Sequence, residues 1–284
     1  MTYRDGFVSA QDGKRLYYRD YGPPHGAATT VLCLPGLARN SSDFDALASR
    51  LAADRRVVCP DYRGRGRSDY DRDWRHYAPP SVAYDIATML TALGIERAVA
   101  VGTSLGGLLA MGLAVSRPTV LRGAVLNDVG PDLPAGGLRR VRDYIARDRP
   151  LPDWPAAVAT LQRMMPTVSV PEPAEDGWLT LAKGTWRESE DGLLRYDFDA
   201  RLAKTLDRDG AAPDLWPLFR ALARVPLVAV RGAVSDILTA ETFARMAETA
   251  ADLTPVTVDG VGHTPNLQEP ECREAIDALL DRIG

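Results

Sequence analysis

The chain has 284 residues, 45% of them apolar, and a formal charge of −4 at pH 7 with Lys, Arg, Asp and Glu interspersed. That size buries one large core, as in an α/β domain with an insertion, and the charge balance offers no basic face for nucleic acid. No membrane-spanning run is visible, Met1-Thr2-Tyr3-Arg4-Asp5-Gly6 lacks a basic-then-apolar signal segment, and Cys33, Cys59 and Cys272 have no metal spacing; a cytoplasmic protein with reduced thiols is expected.

Two short extended segments, near residues 5 to 10 and 14 to 21, flank Gln11-Asp12-Gly13 and predict an antiparallel hairpin. His25 follows in the turn Pro23-Pro24-His25-Gly26, where an exposed loop histidine is expected. The apolar run Thr30-Val31-Leu32-Cys33 leads into Leu34-Pro35-Gly36-Leu37, and Arg39 and Asn40 follow, open to a place in the pocket or to surface or helix-capping roles. A second run, Arg56-Val57-Val58-Cys59, leads into Asp61-Tyr62-Arg63-Gly64-Arg65-Gly66-Arg67-Ser68, which is no phosphate loop because no Lys-Ser/Thr adjoins it. His76 sits among charged residues and reads as a surface or pocket-rim side chain. Val82, Ile86, Met89, Leu90 and Leu93 fall at helical spacing after Pro79-Pro80-Ser81. Strands and helices thus alternate, which argues for parallel crossovers.

Ala98-Val99-Ala100-Val101 then precedes Gly102-Thr103-Ser104-Leu105-Gly106, followed by the apolar Leu108-Leu109-Ala110-Met111. A serine at a strand-to-helix turn with glycine two residues to either side is a nucleophile elbow. The turn is too tight for a Cβ at the flanking positions, and the following helix aims free N–H groups at developing negative charge. Of three histidines, His263 alone ends a strand and a glycine-flexed loop near the C-terminus, from which an imidazole can reach over the sheet towards Ser104. Between Pro131 and about Pro213 the alternation stops in favour of helical segments rich in Trp, Met, Pro and charge. The expected division is a core of 1–130 and 214–284 with a helical cap at 131–213. Ile276, Leu279, Leu280 and Ile283 mark a final helix over the sheet.

These motifs resemble the α/β-hydrolase family, in the branch carrying a helical cap, and the likeness covers nearly the whole chain. The implied fold is a mostly parallel sheet flanked by helices. The turn at Leu34-Pro35-Gly36-Leu37 matches the family's His-Gly turn, with Pro35 in place of the histidine. By that match the backbone N–H groups of Leu37 and Leu105 form an oxyanion hole. The family's chain order of serine, acid and histidine confines the acid to residues between Ser104 and His263. Asp236, after the β-like run Pro226–Gly232, is the preferred acid because a neighbouring strand end places it beside His263. Asp128, after Gly123-Ala124-Val125-Leu126, is the alternative acid.

The resemblance implies a serine hydrolase acting through Ser104, His263 and Asp236 on a carboxylic ester or lactone of a small, partly apolar molecule, by way of an acyl-enzyme. No metal or organic cofactor is needed. Hydrolysis of a carbon-carbon bond in ring-fission products, acyl transfer, and a non-catalytic ligand receptor are the alternative readings, because one fold hosts many chemistries.

Overall fold

The computed structural model describes residues 3–24, 28–170, 173–207 and 213–284; His25 lies outside them. The chain opens with β1 (Arg4–Ser9) and β2 (Arg15–Tyr21), paired antiparallel as the sequence predicts, with Gly13 at φ +81° in the connecting turn. Then follow β3 (Thr30–Leu34), α1 (Asp45–Leu51), β4 (Val57–Pro60), α2 (Pro79–Ala92), β5 (Ala98–Thr103), α3 (Leu105–Ser116) and β6 (Leu121–Asn127). Proline in the first turn of α2 is well placed, since the N–H it lacks would have no helical acceptor.

The next stretch holds α4 (Ala135–Ile145), α5 (Trp154–Met164), α6 (Ala174–Lys183), the antiparallel pair β7 (Trp186–Glu188) and β8 (Leu194–Tyr196), and a 3₁₀ segment at Ala200–Leu206. The strand pair is an addition to the helical segments expected there. The chain ends with α7 (Trp216–Leu222), β9 (Leu227–Gly232), α8 (Ala240–Thr249), β10 (Leu253–Val258) and α9 (Pro270–Ile283).

Eight strands form one sheet in the order β1-β2-β4-β3-β5-β6-β9-β10. From β4 to β10 every pairing is parallel. Alternation along the strands builds two cores. Leu32, Leu34, Val58 and Ala100 face α2, α3 and α7, whereas Val31, Cys33, Val57, Cys59, Val99 and Val101 face α1 and α9. Burial on both faces explains why these strands read as continuous apolar runs. The three cysteines are buried and unpaired. Among the described residues no helix is long and apolar enough to cross a membrane.

The stretch between β6 and β9 has an apolar cluster of its own, centred on Ile145, Leu161, Trp186, Leu194, Tyr196 and Phe198, and it takes in Ala38 and Tyr77 from the sheet side. Trp186, Tyr196 and Phe198 stack in sequence at 5.7 and 4.3 Å between ring centroids. Trp216, by contrast, packs into the main core.

Candidate active site

Parallel strands all end on one edge, so the loops after β3, β5, β6, β9 and β10 converge there. Ser104 stands between β5 and α3 with φ +52° and ψ −114°, a backbone conformation that L side chains rarely adopt. Its N–H donates to Asn127 O at 3.0 Å, which ties the turn to the neighbouring strand end. A Cβ on Gly102 would collide with the backbone of Gly106, and one on Gly106 with the carbonyl of Leu34. The glycines flanking Ser104 therefore answer to real contacts, as the pentapeptide pattern requires.

His263 follows β10, its side chain 9% exposed. Its Nδ1 lies 2.7 Å from Oδ2 of Asp128, which is fully buried. Asp128 takes φ +52° immediately after β6 and is anchored by its own N–H to Val230 O at 2.8 Å. Three groups surround its carboxylate: the Gly232 N–H at 3.0 Å on Oδ1, and the Ser235 hydroxyl at 2.5 Å together with His263 on Oδ2. A buried carboxylate so supplied with donors has its hydrogen-bonding demand met within the protein.

The preferred acid of the sequence reading is therefore not the residue facing His263. Asp236 has a 45% exposed side chain and forms a two-point pair with Arg140 of α4, at 2.6 and 2.7 Å. Hydrogen bonding from Arg140 holds its carboxyl below the usual range. The reason lies in how closely two loops approach. At Gly232 a Cβ would strike the carbonyls of Val261 and Gly262, so the loop after β9 touches the histidine loop there. Four residues on, Asp236 has turned outward to α4, while the end of β6 lies between β5 and β9 and faces the ring.

The loop after β3 brings Gly36 against the serine: a Cβ on Gly36 would lie 3.9 Å from Ser104 Cβ. Where Pro35 replaces the family's histidine, the turn is braced through its carbonyls. Tyr62 Oη donates to Pro35 O at 3.1 Å, and Arg65 Nε to Leu37 O at 2.8 Å. Arg65 is wholly buried, and burial pushes its guanidinium down to about 10. Leu105 is the first residue of α3, where N–H groups have no acceptor within the helix. Leu37 is the second expected donor of that pair. Arg39 and Asn40 pin the insertion to this edge. Arg39 bonds Thr185 and Asp43, whereas Asn40 caps the 3₁₀ turn at Ser42 and donates to Gly184 O and Asp197. His76 pairs with Asp71 at 2.9 Å and is half exposed.

Sequence reasoning missed Ser235 and Arg65. Ser235 carried no motif, although its place next to Asp236 at a strand end could have drawn notice. Arg65 looked like one more charge in an arginine-rich turn, and nothing local marked it as buried.

A partly buried serine with positive φ and a buried carboxylate–imidazole pair thus stand on one sheet edge, beside the first N–H groups of α3. A sequence profile of the Alpha/beta hydrolase family matches residues 31–275. The chain belongs to that family. This hydrolase is 35% identical over 265 residues to the 3-hydroxybutyrate-oligomer hydrolase of Cupriavidus necator, covering 90% of this chain and 89% of the relative. It is 28% identical over 258 residues to the 2-(acetamidomethylene)succinate hydrolase of Mesorhizobium japonicum, with the same coverage of 90% and 89%. Among solved structures it resembles an alpha/beta hydrolase from Novosphingobium aromaticivorans with TM-score 0.92 and 44% identity, covering 99% of this hydrolase and 98% of the other.

Proposed function

We propose that this hydrolase cleaves carboxylic esters of short hydroxy acids, free or oligomeric, with Ser104 as nucleophile, His263 as base and Asp128 as the orienting acid. The observation that carries the reading is the buried Asp128–His263 pair on the same sheet edge as the positive-φ Ser104. The ester class is supported by the Cupriavidus necator relative, whose substrate as named is an oligomer of a hydroxy acid.

In this scheme Nδ1–H of His263 donates to Asp128, which leaves Nε2 as the basic nitrogen. Nε2 takes the proton of Ser104 Oγ as Oγ attacks the ester carbonyl, and the N–H groups of Leu37 and Leu105 hold the oxyanion. The C–O bond then breaks, and the alkoxide leaves with the proton from His263. Water, deprotonated by the same nitrogen, attacks the acyl carbon, and Ser104 regains its proton as the acid departs. No step calls on a cofactor. Residues 131–213 serve as the cap that excludes water and binds the acyl and alcohol parts.

The test is acid release in a pH-stat from linear esters of 3-hydroxyalkanoic acids, with simple lactones and a coloured ring-fission product as parallel substrates. Turnover of the esters that disappears in Ser104→Ala supports the reading. Turnover confined to the ring-fission product overturns it.

A further inference from the structure

Between α4, α5 and the β7–β8 hairpin lies an open cavity of about 790 Å³, rimmed by Arg139, Arg140, Arg147, Arg149 and Arg163, with Asp143 the one carboxylate on its lining. Arg140 is committed to Asp236. The other four arginines form no ion pair with a carboxylate among the described residues; Arg163 reaches only Thr160 Oγ1. These four guanidinium groups are exposed to solvent, and together they give one concave wall a positive potential on a chain with net charge −4.

The inner wall adds an independent sign. Trp186 is 2% exposed, lines the cavity, and its indole N–H has no acceptor among the described residues. A buried donor left without a partner is costly, and a ligand oxygen would satisfy it. Met164, Leu151 and the ring of Tyr196 supply apolar surface beside it. The cavity therefore suits a short aliphatic chain that carries ester or carboxylate oxygens and ends in negative charge. Two chains of contacts link its wall to the candidate active site. Arg140 on its wall grips Asp236, the neighbour of the Ser235 whose hydroxyl serves Asp128, and Tyr144 on its lining shares an apolar cluster with Leu37.

We propose that this cavity is a carboxylate subsite, which takes the free acid end of an ester whose scissile bond lies at Ser104. The inference rests on the ester-hydrolase reading and narrows it to anionic esters. Guanidinium groups meet the carboxylate, the Trp186 N–H meets an ester or acid oxygen further in, and the apolar wall covers the carbon chain.

The experiment compares a linear trimer of a 3-hydroxyalkanoic acid with its terminal carboxylate free against the same trimer capped as the methyl ester. In the unaltered protein kcat/KM favours the free acid by about tenfold at low salt, and the preference shrinks as ionic strength rises. In Arg147→Ala/Arg163→Ala that ratio collapses through KM, and the Lys/Lys double variant restores part of it. Trp186→Phe, which keeps the aromatic stack, raises KM for both trimers. Calorimetric titration of the free-acid and capped trimers into Ser104→Ala reads binding without turnover. Binding that favours the free acid and depends on the arginines upholds the subsite even if no ester is cleaved, in which case the hydrolytic reading alone falls. Turnover with equal preference for the two trimers, or a ratio unaltered in the arginine variant, overturns the subsite and leaves the hydrolytic reading standing.

Discussion

The ring of His263 and the carboxylate of Asp128 meet at 2.7 Å although 135 residues of chain separate them. Asp236, which lies nearer in sequence, spends its two oxygens on Arg140. The two carboxylates should thus respond very differently to loss of charge. Asp128→Asn is expected to lower kcat by about 10³- to 10⁴-fold, since an amide stabilises the wrong imidazole tautomer and leaves the imidazolium unbalanced. Asp236→Asn should retain activity within roughly threefold and lose no more than about 1 kcal/mol of stability, as befits a half-exposed ion pair. Steady-state kinetics with thermal unfolding of both variants decides it; a mild Asp128→Asn with an inactive, folded Asp236→Asn would return the role to Asp236.

Ser104→Ala and His263→Ala should each reduce esterase turnover by about 10⁴-fold or more, because residues that act as a unit fail together. A fluorophosphonate should add once per chain, at Ser104. Intact mass and peptide mapping check this, and label on any other serine contradicts the assignment.

Ser235 offers a subtler readout. Its hydroxyl donates to Asp128 Oδ2 and accepts from the N–H groups of Ile237 and Leu238 at 3.1 and 3.2 Å. Ser235→Ala removes a donor to a buried carboxylate and strands two backbone donors. A stability loss of about 1–2 kcal/mol is expected, with kcat down by about tenfold. Denaturant titration and kinetics measure the two effects separately, and an unchanged kcat would show that His263 and Gly232 suffice to hold the acid.

Stability should also carry the mark of Asp197. Burial pushes its carboxyl up to about 6, from an ordinary 3.8, against the opposing pull of Arg187. Because the folded-state value is the higher one, the folded chain binds more protons than the unfolded chain between about pH 4 and 6. Stability contributed by the neutral acid is therefore lost as pH rises through that window. The penalty is complete above it, on the order of 2–3 kcal/mol. Asp197→Asn keeps an oxygen for the Asn40 amide, so its Tm should exceed that of the unaltered protein by a few degrees at pH 7 and match it near pH 4. Calorimetric scans at both pH values test this; an equal offset at each would exclude the carboxylate as the cause.

What the sequence made legible follows the range of the interactions concerned. The elbow is local, since the clash that demands Gly102 and Gly106 arises within a few residues of Ser104 and against the adjoining strand. The buried strands declare themselves by composition, and His263 stood out through scarcity. The acid could not be resolved this way. Asp128 and Asp236 both follow a β-like run and both end on the same edge, and the choice depends on a positive φ at Asp128, the contact of Gly232 with the histidine loop and the pull of Arg140 from another segment. The strand pair β7–β8 was hidden for a similar reason. Its three-residue strands are too short to show a period, and they are held by the stacked rings of Trp186, Tyr196 and Phe198.

The histidine loop is stitched to the insertion by backbone bonds on both sides of the ring. Gly262 N–H donates to Thr167 O at 2.7 Å, Ser169 N–H donates to Thr264 O at 3.4 Å, and Asn266 Nδ2 reaches Ser169 Oγ at 2.8 Å. The insertion is consequently not an interchangeable module. A chimera that grafts a relative's counterpart of residues 131–213 onto this sheet would exchange the partners of the His263 loop together with the walls of the cavity. Grafts that keep residues 165–170 of this chain should leave the turnover number near its native value, whereas those that replace 165–170 should lower it as well, so that the pocket walls and the hold on the histidine loop are inherited along different seams of the same stretch.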